Sequence, residues 1–514
     1  MAFAHGFRAI NAVQDFGHAL TPRHPLKIIL QARHGPAVKG RAMTDAVAGD
    51  PDQKPGEPSL KRVIGPWLLL LFIVGDILGT GIYALTGQVA RQVGGVVWLP
   101  FLSAFVVALI TAFSYLELVT KYPRAAGAAL YAHRAFGIHF ITFIVAFAVM
   151  CSGITSASTA SRAFAANFSN AFELNLQTGI GITLLGLAFM AAVAAINFRG
   201  IGESLFANVI LTTIELTGLL IIVVIGLWAI GLGQGDVSRA FEFKPSGDTH
   251  WVWPVVAATT LAFFAMVGFE DSVNMAEETR DPVGTFPKML LTGLLFTALI
   301  YVLVSISAIT LVPPEQLSKG ETPLLQVVAA GAPNFPVWIF GFITMFAVAN
   351  TALINMLMAS RLVYGMSREH VLPRAFGLVH PSRRTPYVAI LFTTLLAFAL
   401  ITFVGEIPAL GGTTALLLLC VFTVVNVAVL ALRRDRVGHD HFRTPTILPV
   451  VGFLSCAFLV GPWTGRDPVQ YRIAGILIGI GIVLWLVTLW INRATGVKPV
   501  DPVMEDVGGP GPRN

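Results

Sequence analysis

Charge is what this chain has least of. Only 12% of its 514 residues are Asp, Glu, Lys or Arg, against roughly a quarter in soluble domains, and that excludes an ordinary water-soluble fold. Cysteine is scarce as well. Cys151, Cys420 and Cys456 each sit in an apolar run without CxxC or Cys/His spacing, which argues against a disulfide framework or a metal centre and predicts buried free thiols. Neither HExxH nor GxSxG occurs, so the sequence offers no signature of a membrane-embedded hydrolase. The run His439, Asp440, His441 lies in a charged loop and reads as solvated side chains, not as metal ligands. The first sixty residues contain no long apolar run, so they hold no secretory h-region.

Hydrophobic residues fill the rest: 55% of the chain, with a mean hydropathy of +0.75. At about 20 apolar residues per crossing, twelve spans are predicted. They are Val63–Ala90, Val96–Val119, His139–Ala166, Gly179–Ile196, Ser204–Gly231, Trp253–Glu277, Met289–Val312, Val337–Leu362, Tyr387–Val404, Thr413–Leu432, Leu448–Trp463 and Ile473–Ile491. The eleventh is short and carries Pro449 near its start. The expected class is therefore an all-α integral membrane protein with three parts. These are a disordered N-terminal tail over 1–60, a transmembrane domain over 61–492 and a tail over 493–514.

The net charge of +6 marks topology, because the basic residues lie between the apolar runs. Loops on one side hold Lys61, Arg62, Lys121, Arg124, Arg134, Arg280, Lys288, Arg361, Arg368, Arg433, Arg434 and more, while the opposite loops hold little beyond Arg91, Arg239, Lys244, Lys319, Arg466 and Arg472. An even number of spans with that bias places both termini in the cytoplasm of a cell bounded by a plasma membrane. No nucleic-acid partner is expected; the lipid bilayer is. Met43 precedes a short polar leader of different character from Met1–Ala42, which suggests Met43 as the physiological start. N-terminal sequencing that recovered Ala2 or Phe3 would reject this.

Two spans are interrupted. In VGDILGTGIYALTG, Val74–Gly87, Gly75, Gly79 and Gly81 stand with the Asp76 carboxylate in the middle of the first span. Backbone groups freed there must be satisfied without bulk water. Gly79, Thr80 and Gly81 offer N–H groups where a half-helix begins, a positive dipole end suited to a carboxylate. Close helix packing through a Gly75/Gly79 GxxxG spacing is the alternative. In the sixth span, Phe263, Phe264, Ala265 and Met266 precede Gly268, Glu270 and Asp271. Their carbonyls would form a negative end suited to an ammonium group, although a simple glycine kink is also possible. Paired breaks in separate halves point to a transporter's solute site.

Ionisable residues inside spans cost several kcal/mol unless paired, hydrated or protonated, so each is a functional candidate. Asp76 stands just before the first break, and Glu215 midway along the fifth span with no Lys or Arg nearby in sequence. Glu215 is either a proton carrier or a neutral acid bonding two helices. Glu117 could reach Lys121 by i,i+4 pairing, and Glu277 and Glu278 could pair with loop cations. Asn350, Thr351 and Asn355 form a polar stripe on the eighth span, suited to lining a pocket or to bonding helices.

These blocks resemble a known family. GDILGTGIYALTG at Gly75–Gly87 is similar to the first-helix signature of the amino acid/polyamine/organocation (APC) superfamily of permeases, and FFAMVGFEDSVNMAEETRDPVGTFPK at Phe263–Lys288 to its sixth-helix signature. YPRAAGAALYAHRAFG at Tyr122–Gly137 and SRLVYGMSREHVLPRAFGLVHPSRRTPYVAI at Ser360–Ile390 resemble its loops after helices two and eight. The resemblance implies a five-plus-five inverted repeat with two extra helices, discontinuous helices 1 and 6, and alternating access. It implies substrate carboxylate contacts at Gly79, Thr80 and Gly81, amine contacts at Phe263, Phe264 and Met266, and aromatic gating by Phe264 and Phe269. Asn355 joins the expected pocket. Two departures stand out: Glu215 occupies a position where relatives place a coupling Lys, and Asp76 one that is usually small and uncharged. The expectation is an amino acid permease, not an enzyme, without a cofactor. It would be proton-driven, with sodium as the alternative ion. An excess of intramembrane acids favours a cationic amino acid or polyamine over a neutral amino acid.

Overall fold

The computed structural model describes residues 64–496 apart from 124–126, 175, 177–178, 200–204, 245–249, 277 and 384. The two tails, the Met43 start and Glu277 therefore lie outside or largely outside the described residues. Within them the fold is helical, with no β-strand and two isolated bridges, Ile64 to Thr279 and Gly94 to Phe243.

The first apolar run forms two helices, α1 (Pro66–Ile77) and α2 (Thr80–Val93). Proline at the first helical position starts α1, where its missing N–H costs nothing. The next helices are α3 (Trp98–Lys121), α4 (Gly127–Phe136), α5 (His139–Ala171), α6 (Ile180–Arg199) and α7 (Leu205–Gly231). After α8 (Val252–Ala262) the chain tightens into a 3₁₀ turn at Phe263–Met266 and another at Asp271–Met275. Then come α9 (Pro282–Leu311), α10 (Pro314–Leu317), α11 (Pro323–Gly331), α12 (Val337–Arg368), α13 (Tyr387–Phe403), α14 (Ile407–Leu432), α15 (Ile447–Val460) and α16 (Pro468–Thr495).

Among the described residues ten helical segments are long and apolar enough to cross a membrane, and α13 and α15 are shorter apolar helices of 17 and 14 residues. Pro449 falls in the first turn of α15, where proline is tolerated. Large apolar side chains such as Leu184, Val224, Leu227, Trp228, Leu299 and Trp490 face outward, as a lipid-facing surface requires.

Between helices the cohesion is small-residue packing and hydrogen bonding, since lipid supplies no hydrophobic drive. Ser114 donates to Asn426 Oδ1 at 2.6 Å, and Asn426 donates to Thr111 at 3.2 Å. Gly452 of α15 leaves room for that amide, so one asparagine joins α3, α14 and α15. Thr155 and Thr414 share a bond of 2.7 Å between α5 and α14.

Two expectations are corrected here. Glu117 does not pair with Lys121. Its carboxylate accepts from Arg433 Nε at 3.0 Å and Nη2 at 2.9 Å and from the Thr444 amide at 2.9 Å, while Lys121 donates to the carbonyls of Leu432 and Asp435. A rigid guanidinium fork matches both carboxylate oxygens, which an ammonium one turn away on the same helix cannot do. Cys151 and Cys456 are buried as expected, but Cys420 of α14 is exposed, because the apolar run that holds it has one side turned away from the protein core.

Candidate functional site

The first span breaks between Ile77 and Thr80. Leu78 turns extended at ψ 122°, and Gly79 follows at φ −176°, ψ −157°. That conformation suits any residue, so glycine is needed at 79 for space: a Cβ there would lie 2.9 Å from Thr351 Oγ1. Tyr301 donates to the Ile77 carbonyl at 2.8 Å, satisfying a group the break releases.

The second break runs through Val267, at ψ 144°, to Gly268 at φ +124°. Only glycine adopts that φ readily. The neighbourhood demands it as well, because a Cβ on Gly268 would sit 2.5 Å from the Asp76 carbonyl oxygen and 3.0 Å from the Ile77 amide. On the other side of the break, a Cβ on Gly81 would lie 2.4 Å from Ala265 Cα. The two breaks therefore touch backbone to backbone at two points. Glu270 closes its own break by accepting from the Gly268 amide at 3.0 Å.

Of the residues singled out in the sequence, Thr80, Gly81, Phe263, Phe264 and Met266 are buried together where the breaks meet. Phe264 leans against Gly411 of α14. Phe269 is fully buried in an aromatic cluster with Tyr115 and Phe422, at ring separations of 5.7 and 5.3 Å. The polar stripe of α12 divides. Thr351 faces Gly79, Asn350 is buried, and Asn355 lines a cavity while donating to the Thr351 carbonyl at 2.9 Å.

That cavity has a volume of ≈ 350 Å³ and reaches from the second break towards the C-terminal end of α12. Val267, Glu270, Asp271 and Asn274 form one wall; Ser152, Gly153 and Asn355 face them, and Arg361 and Glu369 stand at the far end. Its size suits a small solute; it borders the second break, and of the residues expected to contact substrate only Asn355 lines it, while Gly79, Thr80, Gly81, Phe263, Phe264 and Met266 do not.

Glu215 is completely buried, and neither carboxylate oxygen has a hydrogen-bond partner. Its Oε1 lies 4.0 Å from the Cβ position of Gly79, a point that also has Thr351 Oγ1 at 2.9 Å and the Ile77 carbonyl at 4.0 Å. Tyr83 holds the backbone in place, donating to the Glu215 carbonyl at 2.7 Å. Oxygen acceptors from α1, α7 and α12 thus converge on the carbonyl-rich end of α1, a negative dipole end. Such a cluster suits a proton or a cation.

Sequence reading missed Arg162. It is a cation inside the third span, 3.3 Å from Glu321, and the rule that flagged the buried acids applies to it equally. Tyr83 and Tyr301 were also missed. Their role is set by backbone carbonyls more than a hundred positions away, and no local signal marks that. The His439 ring meets the Thr120 carbonyl at 3.2 Å, and no His/Cys/Asp/Glu group able to hold a metal occurs among the described residues.

Comparison with known proteins agrees with this architecture. Residues 64–489 match the amino acid permease family. The chain is 28% identical over 431 residues to a branched-chain amino acid permease of Bacillus subtilis, covering 79% of this chain and 89% of that one. It is 26% identical to cationic amino acid transporter 5 of Arabidopsis thaliana, over 79% and 71% of the two chains. It is 25% identical to a methylthioribose transporter of Bacillus subtilis, over 83% and 92%. With two broken helices in backbone contact, the second of them bordering a solute-sized cavity, and a family match spanning most of its length, the chain belongs to the amino acid permease family of the APC superfamily.

Proposed function

We propose that this chain is a secondary carrier that moves an amino acid across a plasma membrane by alternating access, driven by protons. The observation that carries the reading is the double backbone contact of the two breaks, Gly268 on Asp76 and Gly81 on Ala265. Half-helix ends held that close can grip the two charged ends of one zwitterion. The carboxylate would meet the amides of Gly79, Thr80 and Gly81, and the ammonium the carbonyls of Phe263, Phe264 and Met266. Phe264 would gate the pocket on the far side from the cavity, with Phe269 behind it, and Asn355 would contribute from the cavity wall.

In this reading α13 and α15 also cross the bilayer. Twelve crossings then put both termini in the cytoplasm, and the first ten form the five-plus-five inverted repeat. The cavity, whose far end holds Arg361, faces the cytoplasm. Glu215 is the coupling group, supported by a carboxyl that is fully buried yet has no donor. Asp76 is its neighbour. Acids along the route, with Glu270 and Asp271 on the cavity wall, favour a cationic amino acid or polyamine. The second reading is a neutral substrate, favoured by the likeness to a branched-chain permease and by apolar side chains at Phe263, Phe264 and Met266.

Solute counterflow in proteoliposomes tests the carrier. Preloaded unlabelled substrate should drive transient accumulation of labelled amino acid, and competition by Lys, Arg and putrescine against Leu and Val should divide the two substrate readings. Flux that never exceeds equilibration, for every amino acid tried, would sink the proposal.

A further inference from the structure

Two threonines of α7 satisfy their own hydroxyls. Thr213 donates to the Val209 carbonyl and Thr217 to the Thr213 carbonyl, each at 2.7 Å, the back-bond to residue i−4 that a helical threonine commonly makes. Thr212 does not. It is fully buried and its hydroxyl has no partner; the oxygen lies against α1, where a Cβ on Gly75 would overlap it. One turn earlier stands Asn208, half-buried near the start of α7, with its Oδ1 buried and also without a partner. Three residues after Thr212 comes Glu215, with neither carboxylate oxygen bonded.

Positions i, i+4 and i+7 share one helix face, so these three groups form a line. Successive members stand about 6 and 4.5 Å apart along the axis, a distance that one bridging water spans. Each buried polar group left unpaired costs about 1–3 kcal/mol, and hydration of the line would remove that cost. A water between two of these groups meets the two polar partners that a buried water needs.

The line has one open end. Beyond Glu215 the same face continues as Leu219 and Ile222, both apolar and fully buried. Towards the start of α7 it reaches Asn208, close to the loop that follows Arg199, on the cytoplasmic side in the twelve-crossing reading. The solute-sized cavity lies elsewhere, since among the described residues none from α1 or α7 lines it. The titratable groups beside Glu215 are Asp76 of α1, Tyr83 of α2 and Tyr301 of α9. Both tyrosine hydroxyls already donate to carbonyls, at Glu215 and Ile77, which leaves the line on α7 as the polar way out.

We propose that Thr212 and Asn208 line a proton route along α7, separate from the solute's cavity, by which Glu215 releases its proton to the cytoplasm. The Glu215 carboxyl gives its proton to the water at Thr212 and is left as carboxylate; the proton then passes from water to water beyond Asn208 into bulk solvent. This rests on the reading of Glu215 as the coupling group.

Two measurements test it. In a background with Cys151, Cys420 and Cys456 replaced by Ala, Thr212→Cys and Leu219→Cys are treated in inside-out vesicles with methanethiosulfonate ethylammonium, and modification is followed by mass. Thr212→Cys should react several-fold faster than Leu219→Cys, which lies on the apolar side of Glu215; equal rates overturn the route. In proteoliposomes, Thr212→Val, which keeps the shape and removes the hydroxyl, should slow uptake of labelled Leu or Lys driven by a pH gradient several-fold more than it slows counterflow of the same label. Thr212→Ser should restore the parental ratio. Equal slowing of both fluxes, or no slowing of either, overturns the proposal. Glu215→Gln scores the coupling reading separately: an unchanged pH response there removes Glu215 as proton carrier, whereas an uncoupled Glu215→Gln beside an unreactive Thr212→Cys removes the route alone.

Discussion

Replacing Gly81 by alanine is the smallest change that tests whether the contact between the breaks matters for transport. The added Cβ would lie 2.4 Å from Ala265 Cα, 2.7 Å from Ala265 Cβ and 2.9 Å from Ala265 N. Carbon atoms settle at about 3.5–4.0 Å, so the two segments must part by roughly 1 Å, and Ala265 backbone cannot rotate away as a side chain would. Overpacking of this kind costs about 1–3 kcal/mol. If both segments grip one solute, that cost falls on the bound state, and at about 1.4 kcal/mol per decade it weakens apparent affinity roughly 5- to 150-fold. The assay is initial uptake against substrate concentration in proteoliposomes, with thermal unfolding of the same preparations. Gly475→Ala serves as control, because nothing lies within 4 Å of a Cβ there. Should Gly81→Ala keep the parental half-saturation constant at full maximal rate, the joined breaks are not where solute binds.

Three further outcomes are expected. Glu215→Gln should abolish the dependence of uptake on a pH gradient while ligand binding persists; an unchanged pH response would remove its coupling role. Asp76→Asn should weaken Lys, Arg and polyamine binding about tenfold or more, the range of a charge-assisted hydrogen bond, and hardly affect Ala; equal losses for all would assign Asp76 to structure. Glu117→Gln strands Arg433 beside a neutral amide and should lower stability by about 3–5 kcal/mol, seen as a clear drop in melting temperature, and an unshifted melt would contradict a stabilising Glu117–Arg433 pair.

What the sequence disclosed and what it withheld divide along the range of the interactions. Apolar runs are local, so the spans could be placed to within a few residues at most ends; α9 and α14 begin about two turns early because Pro282 and Pro408 can open a helix before the strongly apolar stretch starts. Glycine is also local evidence, and Gly75, Gly79, Gly81 and Gly268 marked both breaks. The reason each glycine is there was not legible. Gly268 needs its positive φ, but Gly79 sits in a conformation open to any residue and is small because Thr351, on another helix, stands against it.

Charged residues follow the same division. The cost of burying Glu215 could be read from its apolar neighbours in sequence, since that cost is set by the membrane. The partner of Glu117 could not, because Arg433 is 316 positions away and only the packing of α3 against α14 brings them together. Arg162 belonged to the readable kind and was passed over. Its cost should have prompted a search for an acid outside the spans, and Glu321 is that acid. The absence of a partner for Glu215 is the converse case, legible as a cost in the sequence and visible as an orphaned carboxyl only once α1, α7 and α12 are folded around it. A membrane fold that supplies a buried arginine with an acid yet leaves a buried acid without a donor is the contrast on which the proposed coupling role of Glu215 rests.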